Sequence, residues 1–422
     1  MSFARPDRLL RPRSLAGLMT ILICFCPALS RTVAGETSSA GTEPVFTGLR
    51  VDGKAVSGRI TAISADRITL VTDESTKEKE EVPLRSLVKL TRDPRVPTQA
   101  PEGSHVLLPE GDRLMRVVVV ATTDTGIEVQ SQSALGKLTI PLECVLGLIL
   151  TPPTESDAFD QLWNRVAGES RSTEVVWMAN GDRLTGGFLG LDDRAVKLQI
   201  DGKPVEIDRT GVVAVGFDPA VVSYPRHDSS YLDLTLTDGS RCGVTDARLE
   251  SGQVVATTRF GQPVRVPIGD LIRLDPRSDA VVYLSDRKVD AQDNSGYLGA
   301  PRPMRVDRTV DGHGFQLGGH SYDRGLGTQS QTLLAYRLKP GDRRFQALVG
   351  LDDRAGPLGS VVFRVLTDRK PRLTTPAMSS RDAPQAIDID ISEAKLLILI
   401  TEFGERGDVR DLADWVEARI IR

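Results

Sequence analysis

The sequence predicts an all-β protein: tandem small SH3-like or Sm-like β-barrel repeats followed by a C-terminal jelly-roll β-sandwich, with one short helix near 154–169. Three observations predict it. A glycine turn recurs four times, each time opening a run of alternating apolar residues. A single stretch places apolar residues at helical spacing. From residue 279 onward, short apolar strands alternate with glycine-rich turns.

In chain order, residues 1–35 read as a secretory signal. Arg5, Arg8, Arg11 and Arg13 form a basic start, Leu15 to Leu29 is apolar and broken by Pro27, and small residues follow at Ala34 and Gly35. The apolar run is shorter than the roughly 20 residues that a bilayer requires, which favours cleavage over anchoring. No later stretch is apolar enough to span a membrane. An exported protein, periplasmic or at the cell surface, is therefore expected. Cys24 and Cys26 would leave with the signal. Cys144 and Cys242 remain, and export permits either a disulfide between them or two buried thiols. Residues 36–45 form a polar linker.

The repeats occupy 46–153 and 171–278. Their openings are Gly53-Lys54-Ala55-Val56, Gly111-Asp112-Arg113-Leu114, Gly181-Asp182-Arg183-Leu184 and Gly239-Ser240-Arg241-Cys242. Their second halves are VPLRSLVKL (82–90), IPLECVLGL (140–148), VEIDRTGVVAVGF (205–217) and VPIGDLIRL (266–274). The proline before the last strand suits a strand start or edge, where no ladder N–H is needed. In the third copy Glu206 stands in that slot. Asp-Gly-type turns between period-two strands predict four or five short antiparallel strands per copy. Separate barrels and paired copies sharing one core both fit this pattern. Between the pairs, 154–170 is a helical connector. Phe159, Leu162, Trp163 and Val166 share one stripe, and Thr154 or Ser156 is suited to cap it. The stripe makes Trp163 a core residue that packs the first two copies against the last two.

Residues 279–422 form a separate domain. Lys395–Thr401 is a continuous apolar run, as expected for a central strand covered on both faces. Asp414-Trp415-Val416-Glu417-Ala418-Arg419-Ile420 alternates, which buries Trp415 with its indole N–H satisfied locally. About eight strands over roughly 140 residues suit a two-sheet sandwich. The order YLSD (283–286), LGGHSYDRGLGTQS (317–330), FQALVGLDDRAGPLGSVVFRV (345–365), IDIDISEAKLLILIT (387–401) and DLADWVEARI (411–420) resembles the NPCBM family, also called CBM51. The resemblance implies a carbohydrate-binding jelly roll of the kind attached to secreted glycosidases. Gln329 and Leu412 stand where that family carries histidines, and Asp368-Arg369-Lys370 replaces its Asp-Gly turn. The repeats are similar to β-rich repeats preceding this module in planctomycete-type exported proteins.

Candidate ligand-binding residues are Tyr322, Asp323, Arg324, Gln329, Asp352, Asp353, Asp411 and Asp414, polar side chains at strand ends suited to sugar hydroxyls. Asp352-Asp353 and the carboxylates Asp408, Asp411, Asp414, Glu402 and Glu405 have a spacing that suits calcium. Arg406 and Arg410 beside them equally suit a structural charge network. Asp192-Asp193-Arg194 repeats the Asp352 triplet in an ordinary hairpin, which points to turn capping. No other cofactor is implied.

The rest of the sequence excludes rather than assigns. Lys and Arg number 53 against 57 Asp and Glu, for a net charge of -4, which excludes a protein built to neutralise phosphates. Aromatic residues are 5 %, which leaves few stacking platforms. The four histidines, at 105, 227, 313 and 320, accompany no nucleophile elbow or metal-protease motif. A glycosidase carboxylate pair needs a cleft that raises one pKa, and short hairpins do not obviously build one. The expected function is a non-catalytic, exported glycan-binding or surface scaffold protein. The alternatives are an envelope protein-interaction protein without sugar binding, or a glycosidase-associated subunit.

Overall fold

Glycine turns set the geometry of the repeats. Gly53, Gly111, Gly181 and Gly239 all lie at φ between 81° and 90°, a region closed to most side chains. The computed structural model describes residues 44–73, 75–76, 78–93, 102–225, 230–296, 302–405 and 407–422. The signal, Cys24, Cys26, most of the linker, His227 and Arg406 lie outside the described residues.

The first copy comprises Val45–Arg50 (β1), Ala55–Ile63 (β2), Arg67–Asp73 (β3), Glu78–Pro83 (β4) and Leu87–Asp93 (β5). The second comprises Ser104–Leu107 (β6), Arg113–Thr123 (β7), Gly126–Ser131 (β8), Lys137–Ile140 (β9) and Gly147–Ile149 (β10). A helix, Ser156–Gly168 (α1), follows. The third copy has Val175–Met178 (β11), Arg183–Thr185 (β12), Gly187–Leu191 (β13), Ala195–Ile200 (β14), Lys203–Asp208 (β15) and Val212–Gly216 (β16). The fourth has Tyr231–Leu236 (β17), Arg241–Glu250 (β18), Gln253–Thr258 (β19), Pro263–Pro267 (β20) and Leu271–Arg277 (β21). In every copy the last strand returns to pair antiparallel with the first.

Closed barrels do not form. The last strands pair between copies instead: β10 with β16 (Gly147↔Gly216), and β5 with β21 (Leu90↔Leu274). An 18-stranded sheet runs through all four copies, and one apolar core extends from Phe46 to Leu274. Copies one and four, and copies two and three, are thus edge-paired, which covers strand edges that open, unclosed units would leave exposed.

The prolines act one step earlier than expected. Pro83, Pro141 and Pro267 precede a single 3-10 turn that comes before the last strand. In the third copy Asp208, not Glu206, holds that position, and its carboxylate accepts from Thr210 N.

Helix α1 buries Leu162 and Val166 against Leu107, Ile149, Val175, Trp177 and Ala214, sealing the join between copies two and three. Phe159 and Trp163 are only partly buried there. Gly147 permits this approach, since a Cβ would collide with Val166. The N-cap is Glu155, without a side-chain cap, rather than Thr154 or Ser156. Cys144 and Cys242 are buried free thiols, and burial pushes the Cys144 thiol up to about 11.

The C-terminal domain packs two sheets. Its strands are Val281–Tyr283 (β22), Ala291–Asn294 (β23), Arg305–Val306 (β24), Phe315–Leu317 (β25), His320–Tyr322 (β26), Gly325–Thr328 (β27), Thr332–Arg337 (β28), Arg344–Leu351 (β29), Val361–Thr367 (β30), Lys370–Thr374 (β31), Gln385–Asp390 (β32), Leu396–Phe403 (β33) and Ala413–Ile421 (β34). One sheet runs β24-β27-β34-β29-β32 with β22 on β34, and the other β23-β28-β33-β30-β31. Between them lies a core of its own, with Phe345, Phe363, Leu399 and Trp415. The Lys395–Thr401 run supplies β33, central in its sheet as its apolar pattern predicts. Among the described residues no helix is long and apolar enough to cross a membrane.

Candidate functional site

Two polar regions emerge, one at a loop end of the sandwich and one where the sandwich meets the repeats. At the loop end, the β27–β28 turn carries Gln329, whose Nε2 donates to Asn294 Oδ1 at 3.3 Å. The β33–β34 loop carries Asp411, whose Oδ1 accepts from Ser360 N at 2.8 Å. Burial raises Asp411 to about 6, against the pull of Ser360 N and the Ser330 hydroxyl. Arg410 ties the same loop to the 353–358 segment, with its Nε donating to Ala355 O at 2.9 Å. Each of these two loops leaves one large aliphatic exposed: Leu358 at 46 % and Val409 at 48 %. Apolar area beside polar groups is what a sugar ring, with CH faces and hydroxyl edges, presents a use for.

Beneath this end lie the other predicted carboxylates. Asp352 is fully buried, its Oδ2 accepting from Gln316 N at 2.8 Å and its Oδ1 from Arg354 N at 3.0 Å. Asp353 accepts from Gly318 N and Gly319 N, each at 2.8 Å. The pair pins the β25–β26 hairpin. Asp192 does the same local work in its own triplet, accepting from Arg194 N and Ala195 N. Asp414 is fully buried, and burial together with neighbouring Asp352 and Asp311 raises its pKa well above the ordinary carboxylate value.

A protonated Asp414 gives a testable sign. A carboxyl with a raised folded pKa contributes stability that is complete below its unfolded value and lost as pH rises through the folded value. Asp414→Asn keeps a neutral donor there, so the variant should gain thermal stability over the wild type progressively as pH rises from 4 to 8. Thermal denaturation at several pH values checks this, and a difference independent of pH contradicts it.

Of the remaining predicted residues, Asp323 and Arg324 belong to the seam, whereas Tyr322 stays within the sandwich. Tyr322 packs on Phe315, Leu317 and Val416. Asp323 accepts from Arg113 Nη2 at 2.9 Å; burial works to raise it, but Arg113, Arg273 and Arg241 hold it down to about 2. Arg324 is buried, with Nη1 donating to Asp286 at 2.7 Å and Nη2 to Asp233 at 3.2 Å. Asp233 also accepts from Arg241 Nη2 at 2.8 Å. The Arg324 and Arg277 guanidiniums both lie over the Tyr283 ring, at 5.1 and 5.2 Å. Asp323 and Arg324 were expected on a sugar-facing rim, but the repeats occupy them, because repeat arginines and aspartates complete their charge. A second ionic group joins Glu417 of β34 to Lys89 at 3.0 Å, Arg273 at 3.1 Å and Arg419 at 3.3 Å.

The predicted acidic group near the last strand is dispersed. Glu402 pairs with Arg364 at 2.8 Å, Asp411 binds Ser360 N, and Asp414 faces Asp352. Among the described residues no three His, Cys, Asp or Glu side chains group to hold a metal. Asn294, Ser360, Leu358 and Val409 also stand at this loop end, with no motif in the sequence to mark them. The only signal for the two aliphatics was their position in loops, away from any alternating strand.

The chain is similar to known proteins over part of its length. A stretch of 111 residues, 26 % of the chain, is 30 % identical to a putative endo-alpha-N-acetylgalactosaminidase of Renibacterium salmoninarum. A stretch of 117 residues is 28 % identical to alpha-1,3-galactosidase B of Akkermansia muciniphila. The matches span only 7 % and 15 % of those two relatives. Among solved structures, the CBM51 of a Clostridium perfringens GH95 protein, in complex with methyl-galactose, is 23 % identical. It covers 33 % of this chain and 99 % of its own, with a TM-score of 0.31. Residues 280–421, the two-sheet domain with the loop end described above, match the NPCBM/NEW2 domain family.

Proposed function

We propose that this is an exported, non-catalytic glycan-binding protein of the periplasm or cell surface, whose C-terminal sandwich holds sugar at its loop end. The match of residues 280–421 to the NPCBM/NEW2 domain carries the reading. Both curated relatives are named for galactose-type sugars, so α-linked galactose and N-acetylgalactosamine are the proposed ligand class. Val409 and Leu358 would meet the apolar ring face, and Asn294, which accepts from Gln329 Nε2, the hydroxyls. Asp411, Asp352, Asp353 and Asp414 would hold the loops in place rather than touch sugar. A shallow surface of this kind predicts weak, roughly millimolar monovalent affinity.

Glycan-array screening of the full chain, followed by calorimetry, tests this. Galactose- or N-acetylgalactosamine-terminated glycans should bind, and Val409→Glu should weaken them about tenfold or more, the equivalent of about 1.4 kcal/mol. Val409 is exposed, so the fold should survive the change. Silence across the array contradicts the proposal. A second reading, an envelope protein-interaction protein, is favoured by Gln329 and Leu412 standing buried where the resembling family has histidines. Array silence together with recovery of one defined envelope protein, without competition by sugar, supports that second reading.

A further inference from the structure

A cleft of about 1100 Å³ lies where the second repeat, helix α1 and the C-terminal domain meet. Its volume slightly exceeds that of ordinary ligand sites, which run to roughly 1,000 Å³. Leu107, Leu108 and Leu146 give it an apolar wall, and Trp163 and Val306 also line it. Val306 is 46 % exposed. Trp163 is covered on one side by the Arg308 guanidinium, 5.2 Å from the ring centre.

The charges around the cleft are unevenly committed. Glu110 pairs with Arg259 at 2.6 Å, and Glu169 with Arg183 at 2.6 Å. Asp286 pairs with Arg324 at 2.7 Å, Asp112 accepts from Tyr224 Oη at 2.6 Å, and Asp307 accepts from Gly325 N at 3.0 Å. Every carboxyl lining the cleft therefore already has a partner. Arg308 is likewise held by Asp160 at 3.3 Å. Arg165 and Arg305, both exposed and both lining the cleft, make no ion pair among the described residues. A guanidinium presents planar, paired donors matched to a carboxylate or sulfate. Two uncommitted guanidiniums beside an apolar wall suit a negatively charged ligand with an apolar face.

We propose that this cleft binds an acidic sugar residue, with Arg165 and Arg305 on its anionic group and Val306 and Trp163 beside its ring. That the ligand is a saccharide rests on the glycan-binding reading; that it is anionic rests on the unpaired arginines. The cleft is separate from the loop end, so the protein would hold a charged glycan at two points, and tethering of this kind raises overall affinity without new contacts.

Calorimetric titration of the full chain tests this, with trigalacturonate as the carboxylate probe, a sulfated galactose trisaccharide as the sulfate probe and trigalactose as the neutral probe. At least one anionic probe should bind more tightly than trigalactose, and which one binds distinguishes carboxylate from sulfate recognition. Arg165→Glu with Arg305→Glu should weaken the anionic probe about a hundredfold, roughly tenfold per arginine, since each charge-assisted contact contributes about that factor. Val409→Glu should leave the anionic preference in place. Both arginines are exposed, and an unchanged melting temperature would show that the double variant still folds. No binding of either anionic probe, or binding insensitive to the double variant, overturns the proposal. If trigalactose still binds at the loop end in that case, only the cleft assignment fails. If nothing binds, the glycan-binding reading fails with it.

Discussion

Glu417→Ala should destabilise the protein by about 3–5 kcal/mol, the loss expected when one member of a buried ionic group is removed and its partners stay buried. Glu417 is 4 % exposed and lies among Lys89, Arg273 and Arg419. Burial alone would raise its pKa, but Arg273, Lys89 and Arg419 hold it well below the ordinary value of 4.5. The carboxylate's contribution is therefore complete above that value and is lost as pH falls through the lower folded one. Its position follows from a β-bulge: pairing shifts between Gln346↔Arg419 and Leu348↔Val416, and Glu417 takes φ of 55°. Urea unfolding measures the loss. Lys89→Met combined with Glu417→Ala should recover part of it, because the double variant no longer strands the Lys89 charge. A single-variant loss below about 1 kcal/mol would show that the seam is not held by this group.

Trp415→Ala should cost a similar amount, about 3–5 kcal/mol, by a different mechanism. The indole is fully buried in the sandwich core, edge-on to Phe363 at a ring separation of 5.2 Å and tilted to Phe345 at 6.5 Å. Its Nε1 donates to Thr401 Oγ1 at 3.1 Å. Alanine leaves a large cavity between the two sheets and withdraws one hydrogen bond. Trp415→Phe should cost less, since it keeps most of the ring volume. The same urea measurement separates these outcomes, and a small loss for alanine would mean that the sandwich core tolerates a void at its centre.

These two residues mark what was readable in the chain. The burial of Trp415 agrees with the sequence, but the alternation expected around it does not hold: all nine residues of β34 are buried, because the strand is covered on both faces. Glu417 sits three residues after Asp414 in the same strand, and alternation gives no sign of the bulge that turns it toward Lys89. Two of its partners, Lys89 of β5 and Arg273 of β21, lie more than a hundred positions away, and pairing at that range leaves no local trace. Asp323 and Arg324 were misplaced for the same reason: a polar pair between strands looks like a rim until Arg113 and Asp233 are seen against it. The repeats were legible as units through their glycine turns. Their edge pairing, β10 with β16 and β5 with β21, depends on which edges meet, and sequence period does not encode that. At the loop end, the sequence marks Gln329 and Asp411 as polar residues at strand ends. It does not mark Leu358 and Val409, because an aliphatic in a loop reads as core until its exposure is known.

A crystal structure of the full chain soaked with the tightest galactose-type glycan from the array would settle where sugar is held. Density for a sugar ring resting on Val409 and Leu358, with hydroxyls toward Asn294, is the expected result. A ring seated elsewhere on the sandwich, with those three side chains untouched, would contradict it.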